Sequence, residues 1–403
     1  MRPVLFALLL ALPLAARAQD IQWHGFLDLR IVDAAAQRSW IAGGTGKLRY
    51  GGGGTQGRFG GAALIGTAQL TPALLAYADV QFRNDDGASL ELIEAYLRYR
   101  PVSLTPWRWS LKAGAFFPPV SLENDAIGWT SPWTLTPSAI NSWVGEELRS
   151  TGTEFLVERR GAHSSIEARL AAFVGNDPAG EILAARGWSL GDASYGFGGQ
   201  VREPDVYALE EGVVPPLRYR PFVELDQRLG WYADLTWRSQ RHGRYSVMYY
   251  DNRADPTERS TYDGHTTFAW RTKFWGLGAQ RRLGPIEIIA QAMTGSTLFT
   301  PSPSYTGETR FHAGYVLAGW ARGEWRPALR LDLFSLRQIP PSEVPLSEHG
   351  NAITAALSWR PRPWLRVTGE VVRMESWRRQ RILENAVAGR TDTQVQLGAR
   401  LLF

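Results

Sequence analysis

The chain has 403 residues, no cysteine and only 4 methionines. Without thiols, disulfide frameworks and thiolate metal sites are excluded. Long apolar runs are missing as well. Beyond the first 18 residues no stretch reaches the roughly 20 apolar residues that a membrane-spanning helix needs. If this chain crosses a membrane, it must do so as a closed barrel, because only helices and closed barrels satisfy every backbone group in lipid. Catalytic signatures are also lacking. The six histidines, His24, His163, His242, His265, His312 and His349, form no metal-spaced pair, and neither HExxH nor GxSxG occurs. The charge balance carries no strong sign: setting aside Arg2 and Arg17 leaves 42 basic against 39 acidic residues, a net +3. Nothing in that balance suggests a nucleic-acid partner.

What is abundant is tryptophan, 17 residues, and glycine, 41. Residues 1–18 carry the marks of a cleaved export signal. Arg2 supplies the positive end, residues 4–16 a short apolar segment, and Ala16-Arg17-Ala18 a small-x-small cleavage pattern. The expected mature chain therefore spans residues 19–403.

The mature chain alternates with period two, most cleanly at its two ends. Near the start Ile21, Trp23, Gly25, Leu27, Leu29 and Ile31 share one face, with Gln22, His24, Asp28 and Arg30 on the other. At the end Val395, Leu397, Ala399, Leu401 and Phe403 oppose Gln394, Gln396, Gly398, Arg400 and Leu402. Such alternation marks a strand between an apolar and a polar environment. Further strands follow near residues 59–70, 75–83, 90–100, 107–115, 154–158, 166–174, 229–238, 244–251, 265–282, 285–295, 311–325, 328–338, 351–360 and 364–375. In the fourth, Ile93, Ala95, Leu97 and Tyr99 form the expected outward set. About sixteen strands result, or eighteen if residues 176–228 hide a hairpin.

A soluble all-β sandwich would share the alternation, but two features favour a membrane wall. Tight turns such as Thr71-Pro72, Gly161-Ala162, Leu283-Gly284 and Arg326-Pro327 alternate with longer links. Trp23, Trp107, Trp109, Trp237, Trp325, Trp359 and Trp364 cluster beside those turns, where indole at a membrane–water boundary belongs. The expected fold is all-β: a transmembrane antiparallel barrel with short turns on one side and long loops on the other.

The polar faces supply the candidate pore lining. Its basic members are Arg30, Arg83, Arg98, Arg108, Lys112, Arg169, Arg238, Arg271, Lys273, Arg330, Arg366 and Arg400. Its acidic members include Asp28, Asp79, Glu94, Glu154, Glu158, Glu167, Asp234, Asp332 and Glu370. These charges are costly against lipid and cheap in a wet lumen. The slight basic excess predicts a mild anion preference. Two segments break the pattern. Residues 43–61 are Gly-rich; Gly43-Gly44-Thr45-Gly46-Lys47 fails as a phosphate-binding loop because Ile41 and Leu48 occupy required positions, so a flexible external loop is expected. Residues 117–150 contain four prolines and no sustained period.

The alternating strands, turn rhythm, export segment and terminal Phe403 together resemble Gram-negative outer-membrane porins. The resemblance implies that the last strand closes the barrel and that Phe403 is read by the barrel assembly machinery. It also implies contact with outer-membrane lipid and lipopolysaccharide, passive diffusion of small hydrophilic solutes, no cofactor, and a homotrimer as an expectation. Residues 117–150, after the fifth strand, are similar in position to the constriction loop of general porins. Glu123, Asp125, Glu146 and Glu147 would then face an Arg-lined wall, while Trp129, Trp133 and Trp143 would line a stacking track or pack a plug. A lid outside the mouth is the competing role for this loop. An outer-membrane lipid or lipopolysaccharide hydrolase, or an adhesin with a closed lumen, are the alternative functions.

Overall fold

The computed structural model describes all residues except 1–19, 88, 207–211, 213, 215–216, 263–264 and 341–346. The expected export segment lies outside the described residues. No helix among the described residues is long and apolar enough to cross a membrane.

Sixteen antiparallel strands close into one barrel. They are β1 (Asp20–Ala34), β2 (Gly54–Thr71), β3 (Leu74–Arg83), β4 (Ser89–Tyr99), β5 (Trp107–Phe116), β6 (Ser150–Arg160), β7 (Ser164–Val174) and β8 (Gly230–Ser239). The circuit continues with β9 (Gly243–Asp251), β10 (Arg271–Leu283), β11 (Ile286–Ser302), β12 (Tyr305–Trp320), β13 (Trp325–Ile339), β14 (Glu348–Arg362), β15 (Leu365–Arg378) and β16 (Gly389–Leu402). Strand β1 pairs with β16 from Phe26↔Leu402 to Asp33↔Val395, so no edge remains open in the barrel. The described residues of 176–228 add no barrel strands. They contribute a two-residue ladder, Val201–Arg202 with Arg218–Tyr219, outside the barrel sheet. The expected strand over 265–282 is two elements: His265–Phe268 belongs to a separate hairpin, and the wall begins at Arg271.

Alternation sets the wall chemistry. Leu27, Leu29, Ile31, Leu170, Leu235, Leu329, Leu331, Leu333, Val395 and Leu397 all project outward and are exposed. The seven tryptophans near the tight turns are exposed too, forming one aromatic rim. The opposite register puts Asp28, Arg30, Asp79, Arg330, Asp332, Arg366, Glu370 and Arg400 inside, all nearly fully buried. An Arg or Lys turned to lipid at mid-membrane would cost about 2–4 kcal/mol, which fixes this phase strand by strand.

Three expectations are corrected. Arg271 and Lys273 face outward on β10; Thr272 and Phe274 take the inward positions. Ile93 is buried, because the β3–β4 register shifts at Asp79/Val80 and turns this extra residue away from lipid. The Gly-rich segment is no free external loop. Residues 54–61 extend β2, and Lys47 and Arg49 are buried in the barrel mouth, Lys47 paired with Glu348 of β14 at 2.9 Å.

Candidate functional site: a loop-filled lumen

Residues 117–150 leave β5, enter the barrel and carry a helix, α1 (Ala139–Glu147). The chain enters the lumen because the wall offers partners for its backbone. Glu370 on β15 accepts the N–H groups of Leu135 (2.6 Å) and Thr136 (3.1 Å). Arg366 donates to the carbonyls of Ser131 (2.9 Å) and Thr134 (3.2 Å). Arg330 on β13 donates to the carbonyls of Thr136 (2.7 Å) and Pro137 (3.0 Å) and to Glu123 (2.6 Å), while its Nε meets Asp332 (2.7 Å). A proline-rich segment cannot satisfy its own carbonyls in a helix or ladder, so these cations do it instead. The start of α1 is held the same way. The Ser138 hydroxyl accepts from Asn141 N–H, and Asp332 accepts from Ala139 N–H at 3.1 Å, placing a carboxylate at the positive end of the helix.

Apolar packing completes the dock. Trp143 meets Phe274, Phe311 and Trp188 edge-on at 5.3–6.0 Å between ring centroids. Trp133 lies on Gly319 of β12, where a Cβ would come within 2.3 Å of the indole. Glycine is required there because loop and wall approach so closely. Trp129 stacks on Phe117 at 4.2 Å. The three tryptophans therefore pack the loop and form no continuous track.

Of the four loop acids, only Glu123 meets a wall arginine. Glu146 pairs with Arg186 of a second helix, α2 (Glu181–Arg186). Glu147 accepts from the Trp143 indole, the Tyr219 hydroxyl and the N–H groups of Gly180 and Ile182. Burial nevertheless pushes its carboxyl up to about 7. Asp125 is exposed at the loop tip, and burial with the nearby Glu287 raises it. The two helices bind each other, so the acids serve the plug more than a field across the pore.

The rest of the wall carries the remaining predicted residues, some of which also touch the docked loop: Arg400 reaches the Thr130 hydroxyl at 3.0 Å. Asp28 on β1 bridges Arg30 (2.9 Å) and Arg400 (2.6 Å). Arg83 pairs with Glu91 at 2.8 Å and lies over the Tyr195 ring. Lys112 meets Glu154 at 3.0 Å, Arg108 approaches Glu158 at 4.0 Å, and Arg169 binds Glu167 and Asp234. Arg98 lies half-buried on the inward face of β4. Asp79 and Glu94 stand directly opposite one another on β3 and β4; Gln81 donates to the first and Phe117 N–H to the second. Phe403 exchanges backbone hydrogen bonds with Gly25 and so continues the β1–β16 seam.

Sequence reasoning missed Asp192. It descends into the lumen between Arg30 (2.5 Å) and Arg49 (2.7 Å). Burial alone would raise this carboxyl, but the two guanidinium groups hold it well below the usual range. Between its segment, the docked loop and the wall, an enclosed space of about 20 Å³ remains, bordered by Gln81, Arg83, Asn124, Trp129 and Arg400. That is water-sized. It also missed Arg149, whose guanidinium is buried on the Phe117 ring and donates to four carbonyls, those of Val144, Gly145, Leu148 and Tyr195. Among the described residues one carboxylate group has metal-like spacing: Asp177, Glu224 and Asp226. Its oxygens accept the N–H groups of Leu225, Gly175 and Asp255, which makes it a loop anchor.

No protein-family model and no curated protein matches this chain. Solved structures do. The outer membrane channel DcaP of Acinetobacter baumannii superposes with a TM-score of 0.55 at 11% identity, covering 95% of this chain and 97% of that one. The anion-selective porin from Comamonas acidovorans gives 0.53 at 12%, with 95% and 99% covered. OmpT of Vibrio cholerae in its trimer form gives 0.50 at 10%, again with 95% and 99% covered. At these identities the likeness establishes the fold: a sixteen-stranded barrel of the outer-membrane porin type.

Proposed function

We propose that this protein is a porin of the bacterial outer membrane, a passage for passive diffusion of small hydrophilic solutes with a mild anion preference. One observation carries the proposal. A closed barrel with an apolar exterior keeps ladders of paired charge inside and receives the 117–150 loop within its lumen, as a diffusion channel with a constriction requires. On this reading residues 1–18 are a leader and residues 19–403 the mature chain, whose described strands run from Asp20 to Leu402. Trimer formation is consistent with the trimeric form of OmpT.

The described conformation is the narrow one, because the Asp192 segment stands across the eyelet. Release of Asp192 widens the passage and leaves Arg30 and Arg49 facing solute with one less carboxylate. Arg366 and Arg149, whose partners are a hydroxyl and carbonyls rather than carboxylates, add to the positive potential. These features support the anion lean. Liposome swelling tests the proposal. Proteoliposomes should swell in isotonic small sugars and small organic anions, and more slowly with organic cations of equal size. Permeability no greater than that of protein-free liposomes would refute it.

A further inference from the structure

At the short-turn end of the lumen, strands β6–β10 bring a row of inward hydrogen-bond donors together. Register aligns Arg160, Ser165, Arg238, Arg244 and Gln280 on five adjacent strands. A strand spacing of about 4.8 Å puts the three arginines within about 15 Å of wall, so their long side chains can reach one ligand. Arg238 and Arg244 stand directly opposite one another, and like charges so placed repel until an anion joins them.

The neighbouring carboxylates leave this row undercompensated. One level deeper, Glu167 and Asp234 are matched by Arg169 and Arg238. Arg238 gives Glu167 its Nε at 2.7 Å and keeps its terminal nitrogens without a partner among the described residues. Glu158 approaches Arg108 at 4.0 Å, and Glu287 accepts the Gln280 amide at 2.7 Å. No carboxylate among the described residues forms an ion pair with Arg160, Arg244 or Arg282. The Nε groups of Arg160 and Arg244 are buried with no hydrogen-bond partner, a state that native donors seldom keep. Arg108, Arg160, Arg244 and Arg282 therefore face only Glu158 and Glu287, an excess of two positive charges.

The row borders an open cleft of about 580 Å³. His163 and Ser164 of the β6–β7 turn and Gln240 of the β8–β9 turn form its outer edge. That volume lies in the range of small-molecule sites. No lining residue belongs to the docked loop or to the Asp192 segment, so the cleft is distinct from the constriction.

We propose that this cleft binds the phosphate monoester of a small polyhydroxylated solute, a sugar phosphate. Arg160, Arg238 and Arg244 hold the phosphate, and His163, Ser164 and Gln240 the hydroxyls. Two features select phosphate over a single carboxylate. The excess of two charges matches a dianion, and several guanidinium forks converge on one head group. The inference names a solute class for the porin reading and rests on it for passage, whereas binding requires only the folded barrel.

The test uses the full mature chain refolded in neutral maltoside micelles. Phosphorus NMR line broadening is the readout, with glucose 6-phosphate and inorganic phosphate as probes. Both should bind, glucose 6-phosphate more tightly. Arg160→Gln and Arg244→Gln should each weaken both about tenfold, the effect of losing one charge-assisted contact. Gln240→Ala should weaken glucose 6-phosphate and leave inorganic phosphate unchanged. Arg322→Gln with Arg362→Gln, on the same rim but outside the cleft, should change neither. Far-UV circular dichroism of wild-type shape shows that each variant is folded. Equal loss in the rim variant would overturn the site, because diffuse rim charge would then suffice. So would unchanged binding in Arg244→Gln, or displacement of glucose 6-phosphate by gluconate as readily as by inorganic phosphate. A barrel that binds glucose 6-phosphate but conducts nothing contradicts only the channel, and a conducting barrel that binds neither probe contradicts only this site.

Discussion

Arg330 is the residue on which the inward position of the loop depends most. Its guanidinium is fully buried and serves Glu123, Asp332, the carbonyls of Thr136 and Pro137, and the Thr354 hydroxyl at 3.1 Å. Truncation to alanine leaves two buried carboxylates and two buried carbonyls without that donor. Breaking a buried ion pair from one side costs about 3–5 kcal/mol. Here the cost falls on loop docking, because β13 keeps its ladders to β12 and β14. Three to five kcal/mol corresponds to roughly two to four powers of ten in the undocked population. Hydrogen exchange at Leu135, Thr136 and Ala139, whose N–H groups are held by Glu370 and Asp332, should therefore accelerate by about that factor, while exchange in the β12–β14 ladders stays near wild type. In planar bilayers the variant should show larger, noisier steps. Unchanged exchange at those three amides, with the barrel intact, would refute the claim that Arg330 clamps the loop.

Three further outcomes are expected. Deleting residues 126–139 should widen the lumen and raise single-channel conductance; unchanged conductance would mean that the loop does not set the constriction. Asp192→Ala should raise the open fraction and strengthen the anion lean, because it frees Arg30 and Arg49; a shift toward cations in the reversal potential would contradict this. Glu147 supplies a pH dependence. Its carboxyl is raised to about 7 by burial, so the folded loop holds a proton that the unfolded chain releases near its ordinary 4.5. Docking is then strongest below about pH 4.5 and weakens as pH rises through about 7, by up to about 3 kcal/mol. Protection of the α1 amides, taken relative to the intrinsic base-catalysed exchange rate, should fall between about pH 4.5 and 7 in the wild type and stay level over that range in Glu147→Gln.

Most of the wall was legible because its chemistry repeats every second residue. Asp28, Arg30, Arg330 and Arg400 sit in strands whose opposite faces are uniformly apolar, so phase followed directly from alternation. The errors fall where that contrast fades. Arg271 and Lys273 lie at the long-loop end of β10, beyond the outward Trp275, where the outer face also carries charge and charge no longer marks the inside. Ile93 occupies a bulge, which one-dimensional periodicity does not reveal. The loop contents were harder still. That Glu123 meets Arg330 while Glu146 and Glu147 turn to α2 and Tyr219 depends on a three-dimensional fit among segments distant in sequence. Asp192 had no local signal at all. Gly319 and Gly278 did leave a trace: each is an inward glycine in a strand interior, the mark of a close approach, here by Trp133 and Leu122.

The most direct test of the channel itself is single-channel conductance of the purified, refolded protein in a planar bilayer, with the reversal potential measured under a salt gradient. Discrete, stable steps and a modestly anion-leaning potential are expected, with step size rising in the loop deletion. A folded barrel that never conducts, in the wild type or in Asp192→Ala, would contradict the account.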